Sequence, residues 1–372
     1  MSRLQPLRVG ARRLRLAARL AETWVRRPKS PTRAVLDVTR RCNLRCSMCR
    51  TWERKAHDEL SVSEWGAVFD EAPALCWLDL TGGEPLLRRD FPEIVDAALS
   101  RLPALQVLHF QTNGWLTERA VDVVRRAREG RPEVDLIVTV SIDGPPNVHD
   151  AIRGRPGSFD RAMRTLLALH AAARHDPGLQ VHVGTTVTAD NAECFEAVGP
   201  LLAERVPGFE PRRWHWNLGQ RSAHFFGNAD RPGVEPGQSR ASMARAIARQ
   251  IRRRGVPRDF VSWMESTYLV NLHAVAGGAP SKIPCQALRS TLFISPEGDV
   301  YPCHIWDRPL GNVRETSLRA VWDSAGVAAA RRDVERLACG GCFSACEAYP
   351  ALAGAPIATG LNTLRRLPAA LR

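Results

Sequence analysis

Long apolar runs are what this 372-residue chain most plainly lacks. No stretch approaches the roughly 18 consecutive apolar residues that cross a bilayer, so no spanning segment is expected. Acidic residues are also scarce, and the scarcity is local. Residues 1–33 hold ten Lys or Arg against one acid, and residues 351–372 hold three Arg and no acid, so that of the net +13 only +1 falls on residues 34–350. A nearly neutral body argues against a broad phosphate-binding surface. No internal repeat or low-complexity tract stands out. Arginines interrupt every apolar run before Pro28, which excludes a secretory signal, and a cytoplasmic location is expected.

Cysteine is not scarce: there are ten. In a cytosolic chain, clustered cysteines serve metal or redox work in place of disulfides. Cys42, Cys46 and Cys49, spaced C-x3-C-x2-C, stand just after a short apolar run, Ala34–Val38. Three close thiolates suit an iron–sulfur cluster whose fourth iron has no protein ligand. A zinc knuckle is the alternative, but such sites close their tetrahedron with a fourth Cys or His, and the only nearby histidine is His57. About thirty residues on, Gly82-Gly83-Glu84-Pro85 ends a strand-like run, Cys76–Thr81. Two glycines let backbone groups approach a small ligand, and the Glu84 carboxylate could accept from an ammonium group.

Together these two motifs resemble the signature of the radical S-adenosylmethionine (SAM) superfamily. The resemblance implies that Cys42, Cys46 and Cys49 hold a 4Fe-4S cluster, that SAM chelates the open iron, and that its reductive cleavage gives a 5′-deoxyadenosyl radical able to take a hydrogen atom from an unreactive carbon. One departure is Met48, where the family commonly has an aromatic residue; Met is bulky and apolar enough to cover the cofactor.

Beyond Pro31, short β-rich runs alternate with helical stretches, the mark of βα units building a parallel sheet. Strands are expected at 34–38, 76–80, 105–111, 134–142, 179–188 and 212–218, and helices at 61–71, 92–101, 117–128, 158–173 and 190–204. Ser61 with Glu64, and Asp190 with Glu193, have capping-box spacing. The fold class is α/β: a partial (β/α)6 TIM-like barrel over residues 34–235, followed by a helical region at 236–284, a small cysteine-rich domain at 285–350 and a tail at 351–372. In such barrels the strand C-termini carry the active site. There lie Asn113, Ser141 and Asp143, which by resemblance contact SAM along with Gly82, Gly83, Glu84 and Pro85. Arg153 resembles an arginine that reaches the methionyl carboxylate, a bidentate task suited to guanidinium.

The N-terminal 33 residues read as a basic amphipathic helix. Arg8, Arg12, Arg15, Arg19 and Arg26 share one side; Leu7, Leu14, Ala18, Ala21 and Val25 share the other. Packing of its apolar side on the barrel is one expectation, and peripheral contact with the inner membrane surface is the other.

A second cysteine group comprises Cys285, Cys303, Cys339, Cys342 and Cys346. Cys285-x12-Gly298-x4-Cys303, with Ser295–Cys303, reads as a β-hairpin whose turn is Pro-Glu-Gly-Asp, and spacing alone would suit structural zinc. The pattern is similar to the SPASM and twitch extensions of radical SAM enzymes, which implies one auxiliary 4Fe-4S cluster held by Cys285, Cys303, Cys339 and Cys342, with Cys346 able to replace one of them. Cys76 and Cys194 read as packing residues.

The resulting expectation is a radical SAM oxidoreductase or maturase that oxidatively modifies a peptide or small molecule, the auxiliary cluster accepting an electron or binding substrate. A flavodoxin or ferredoxin would supply electrons. A membrane-proximal lipid- or glycan-modifying enzyme is the alternative, and the different class is a non-catalytic zinc or nucleic-acid-binding protein. Tyr268, Glu265 and His224 are further acid or base candidates.

Overall fold

A computed structural model describes residues 5–235, 240–257, 260–281 and 283–371; of helical residues 5–11, 13, 14, 260, 261 and 356 it describes the backbone only. The side chains of Leu7, Arg8 and Leu14 of the amphipathic pattern, and residues 236–239 at the start of the expected helical region, therefore lie outside what it describes.

Six parallel strands form the barrel: β1 (Arg33–Asp37), β2 (Trp77–Thr81), β3 (Val107–Thr112), β4 (Asp135–Ser141), β5 (Leu179–Val187) and β6 (Trp214–Leu218). Three more follow, β7 (Thr291–Ile294), β8 (Asp299–Tyr301) and β9 (Gly311–Asn312). The sheet runs β6-β5-β4-β3-β2-β1-β7-β8-β9. Thus the expected hairpin, β7 with β8, is not a separate sheet: β7 pairs parallel with β1 and continues the barrel. Thirteen helices lie among the described residues, α1 (Gln5–Val25), α2 (Val62–Asp70), α3 (Phe91–Arg101), α4 (Thr117–Gly130), α5 (Pro146–Arg153), α6 (Ser158–Ala173), α7 (Val198–Arg205), α8 (Arg240–Arg254), α9 (Phe260–Ala276), α10 (Leu318–Asp323), α11 (Ala325–Glu335), α12 (Ala345–Gly354) and α13 (Pro356–Leu371).

The strands alternate, their apolar side chains such as Leu78, Leu80, Leu108, Phe110, Val138 and Val183 being buried. Phe91 of α3 meets Phe110 of β3 edge to face at 5.7 Å between centroids, both rings fully buried. Side chains of this size each stabilise the fold by about 1.5–3 kcal/mol on burial. At α2 the Ser61/Glu64 box forms in both directions. Asp190 does not cap a helix; its carboxylate accepts from the Ser47 hydroxyl at 2.6 Å, and the chain turns through residues 190–197 before α7 begins.

Helix α1 packs on α12 and across the N-terminal mouth of the barrel. Arg12 donates to the Glu133 carbonyl at 2.7 Å and pairs with Asp135 at 3.2 Å, and Arg19 reaches the Ala104 carbonyl at 3.5 Å. The helix basic side is thus spent partly on strand-start carbonyls.

Inside the barrel runs a polar layer that the strand pattern did not announce. Arg33 pairs with Asp79 at 2.6 Å, Asp79 with His109 at 2.7 Å, and His109 with the Thr139 hydroxyl at 3.0 Å. His182 stacks on His215, whose Nδ1 lies 3.0 Å from the Tyr349 hydroxyl, which donates to Glu265 at 2.8 Å. Burial alone would push Asp79 up; Arg33 and His109 hold it below its ordinary value. Strand side chains alternate in direction, so residues two or four further along share this face. Gln111, Ser141, Thr186 and Asn217 lie in that row, and they line a cavity. The polar layer is its floor.

Candidate active site

The cavity measures ≈ 190 Å³ and opens at the C-terminal ends of the strands. Cys42, Cys46 and Cys49 stand on its wall. Their loop is fixed from two sides. Gly83 donates to the Thr39 carbonyl at 2.8 Å and Glu84 to the Arg41 carbonyl at 2.8 Å, so the glycine turn rides directly on the cysteine loop. A Cβ at Gly83 would stand 2.4 Å from the Arg41 oxygen and 3.0 Å from the Cys42 Cβ. From the other side, Arg45 donates to the Arg153 carbonyl at 3.0 Å and Ser47 to that of Ile152 at 2.7 Å, at the end of α5. Only glycine allows this second approach, since Gly154 has a φ of +64° and a Cβ there would meet the Arg45 oxygen at 2.5 Å.

Burial raises all three thiols, Cys42 to about 12 and Cys46 to about 11. A buried thiolate needs a compensating cation. For Cys46 the protein supplies one, Arg153, whose Nη1 lies 3.7 Å from the sulfur; the remaining charge is what iron would neutralise.

The expected cofactor residues divide. Gly82, Gly83, Asn113, Ser141 and Arg153 line the cavity; Glu84, Pro85 and Asp143 do not. The Glu84 carboxylate is turned away from the cavity. It is fully buried and accepts from the Asn113 amide at 2.6 Å, the Thr112 hydroxyl at 3.0 Å and the Leu86 amide at 3.2 Å, tying the glycine turn to the end of β3. Desolvation, only partly offset by these bonds, lifts its pKa to about 7. Asp143 is also fully buried; it binds Arg153 at 2.7 Å and the Thr186 amide at 3.0 Å, so it positions the arginine beside Cys46. Met48 lines the cavity, as do Phe225, Phe226, Gln220 and His304, which the sequence did not single out. Their signal was weak, since they lie on β6's following loop and the β8 exit, outside any motif.

A second, smaller cavity of ≈ 40 Å³ is lined by Cys285, Cys303, Cys339 and Cys342. Burial raises Cys285, Cys303 and Cys342, and their mutual proximity adds to it. Cys346 is elsewhere: it stands on the wall of the first cavity. The other acid–base candidates are structural. His224 is buried against Tyr301 and its Nε2 lies 3.0 Å from the Cys303 carbonyl, Tyr268 donates to the Trp216 carbonyl at 2.7 Å, and Glu265 pairs with Arg254 at 3.1 Å. Cys76 is buried, its thiol donating to the Thr32 carbonyl at 3.3 Å, and Cys194 is half-buried.

Comparison with known proteins agrees with this geometry. Residues 36–198 match the model of the radical SAM superfamily, and residues 285–346 match that of SPASM, an iron–sulfur cluster-binding domain. An AdoMet-dependent heme synthase of Methanosarcina barkeri is 30% identical over 338 residues, covering 84% of this chain and 88% of the relative. The chain belongs to the radical SAM superfamily. The mycofactocin maturase MftC of Mycolicibacterium smegmatis is 29% identical over 344 residues, covering 88% and 80%. Among solved structures, Streptococcus suis SuiB bound to its precursor peptide SuiA shares the fold, with a TM-score of 0.58 at 15% identity over 82% of this chain and 67% of that one. This radical SAM chain is therefore an enzyme with a C-terminal SPASM domain, and its cofactors are a 4Fe-4S cluster with SAM and an auxiliary cluster. No helix among its described residues is long and apolar enough to cross a membrane.

Proposed function

We propose that this radical SAM enzyme carries out an oxidative modification of a peptide or small molecule, with Cys42, Cys46 and Cys49 holding the SAM cluster and Cys285, Cys303, Cys339 and Cys342 the auxiliary one. Bound in the larger cavity, the first cluster and SAM supply a 5′-deoxyadenosyl radical for hydrogen abstraction. The chain's own residues do the rest. Arg153, steered by Asp143, sets the charge at Cys46; Gly82 and Gly83 bring backbone close to the methionyl end; Asn113, Ser141 and Thr186 offer hydrogen bonds from the strand ends. Met48, Phe225 and Phe226 keep bulk water from the reacting centre.

The observation that carries the oxidative reading is the partition between the cavities. His304 lines the larger one and its neighbour Cys303 the smaller; Cys346 lines the larger and its neighbour Glu347 the smaller. An auxiliary cluster held by Cys285, Cys303, Cys339 and Cys342 would therefore stand one residue away in sequence from the lining of the larger cavity, placed to accept an electron. A flavodoxin or ferredoxin would load the first cluster. The named relatives point to peptide or iron-porphyrin substrates as the first to try. A lipid-linked substrate has less support, because Arg12 and Arg19 are engaged at the barrel mouth.

The test is anaerobic reconstitution followed by dithionite and SAM. Formation of 5′-deoxyadenosine is expected, and its loss in the Cys42→Ala/Cys46→Ala/Cys49→Ala variant. Persistence of the nucleoside in that variant would refute the site.

A further inference from the structure

Five C-terminal cysteines are one more than a 4Fe-4S cluster takes. Four of them, Cys285, Cys303, Cys339 and Cys342, share the smaller cavity, where burial and the charges around them raise Cys285, Cys303 and Cys342. The largest charges that bear on Cys346 are those of Arg33, Asp79 and Glu347, and Cys346 lines the larger cavity, not the smaller. Helix geometry explains the separation. Successive residues of α12 point about 100° apart, so Glu347, with Ala348 and Ala351, faces the smaller cavity while Cys346 faces the larger.

A thiol alone makes no site, but a second group points the same way. His304 is 4% exposed and lines the same cavity, and its Nδ1 has no hydrogen-bond partner. The nearest carboxylate oxygen, of Glu347, is 3.8 Å away. The ring is enclosed by the edges of Phe225 and Phe226, at 6.0 and 6.4 Å between centroids. A desolvated nitrogen left unbonded is costly unless a ligand completes it. The larger cavity is therefore lined by an imidazole with an unbonded nitrogen, able to bind a polar atom of the substrate, and by the Cys346 thiol.

We propose that Cys346 is a working thiol of the SAM cavity, a hydrogen-atom donor to carbon radicals formed there, and not a ligand of the auxiliary cluster. The proposal rests on the reading of this cavity as the SAM site. The S–H bond is weaker than an unactivated C–H bond, so transfer to a carbon radical runs downhill. The Cys346 S–H bond breaks homolytically and a C–H bond forms; the sulfur radical is restored by one electron from the same one-electron reductant, dithionite or a flavodoxin, and one proton from water. With substrate present, hydrogen return competes with electron loss to the auxiliary cluster. Without it, the 5′ carbon of the nucleoside is the recipient.

The test uses the reconstituted full chain. Iodoacetamide with peptide mapping should label Cys346 in the cluster-loaded protein, leave Cys285, Cys303, Cys339 and Cys342 unlabelled, and label Cys346 more slowly once SAM is added. Cys346→Ser should keep the wild-type iron content. In heavy water with dithionite and SAM but no substrate, wild-type nucleoside should carry one deuterium, and the Cys346→Ser product should lose it. Protection of Cys346 together with the four others, or loss of one cluster's iron in Cys346→Ser, would make it a ligand and overturn the proposal. So would deuterium retained in the variant. Failure of the cavity reading would look different: nucleoside would form without Cys42, Cys46 and Cys49.

Discussion

Glu84 shows how a motif residue can be read correctly and its atoms assigned wrongly. The glycine–glutamate turn was legible as a ligand-approaching turn, but the carboxylate points inward, because three donors on β3 and the turn itself converge on it. Sequence spacing carries no information on which way a side chain turns. The consequence is measurable. A carboxyl whose pKa rises from 4.5 to about 7 on folding binds its proton more tightly in the native state. Its contribution therefore favours folding below pH 4.5 and is lost as pH rises to about 7, on the order of 3 kcal/mol in all. Glu84→Gln should flatten the fall in thermal midpoint across that window relative to wild type; an unchanged slope would count against the assignment. At Gly83, Ala should push the turn off the cysteine loop, at a cost of about 1–3 kcal/mol, and lower the iron retained at the Cys42 group while leaving auxiliary iron in place.

Most elements were legible because apolar runs and helical stretches alternate regularly, and β1 to β6 fall within a few residues of their expected places. What escaped was set by tertiary contact. Helix α5 follows two prolines and is short, yet its end pins the cysteine loop. Asp190 has capping-box spacing, but Ser47 captures its carboxylate first. Of the expected tail, residues 351–354 complete α12, the helix that carries Cys346 to the cavity, and Pro356–Leu371 form α13. At this scale the account of α1 can be checked. Arg12 neutralises Asp135, which is 4% exposed; Arg12→Ala should cost about 1–3 kcal/mol by urea titration. A helix held only by its apolar side would tolerate that change within error.

For the whole molecule, the chain is one continuous sheet serving two cysteine-lined cavities, since β7 extends the barrel past β1. Neither this continuity nor the polar layer beneath the cavity could be read from hydrophobic pattern, because both depend on which strands meet. The two cavities should hold about eight irons, about four for each cluster. Cys303→Ala should lose the auxiliary share yet still form 5′-deoxyadenosine, and an equal loss of both would contradict separate sites.

Paramagnetic resonance of the dithionite-reduced protein, recorded with and without SAM, shows whether SAM meets the cluster held by Cys42, Cys46 and Cys49. Two cluster signals are expected, of which one shifts when SAM is added and is missing from the Cys42→Ala/Cys46→Ala/Cys49→Ala variant. A spectrum unmoved by SAM, or a shift that survives in that variant, would contradict that contact.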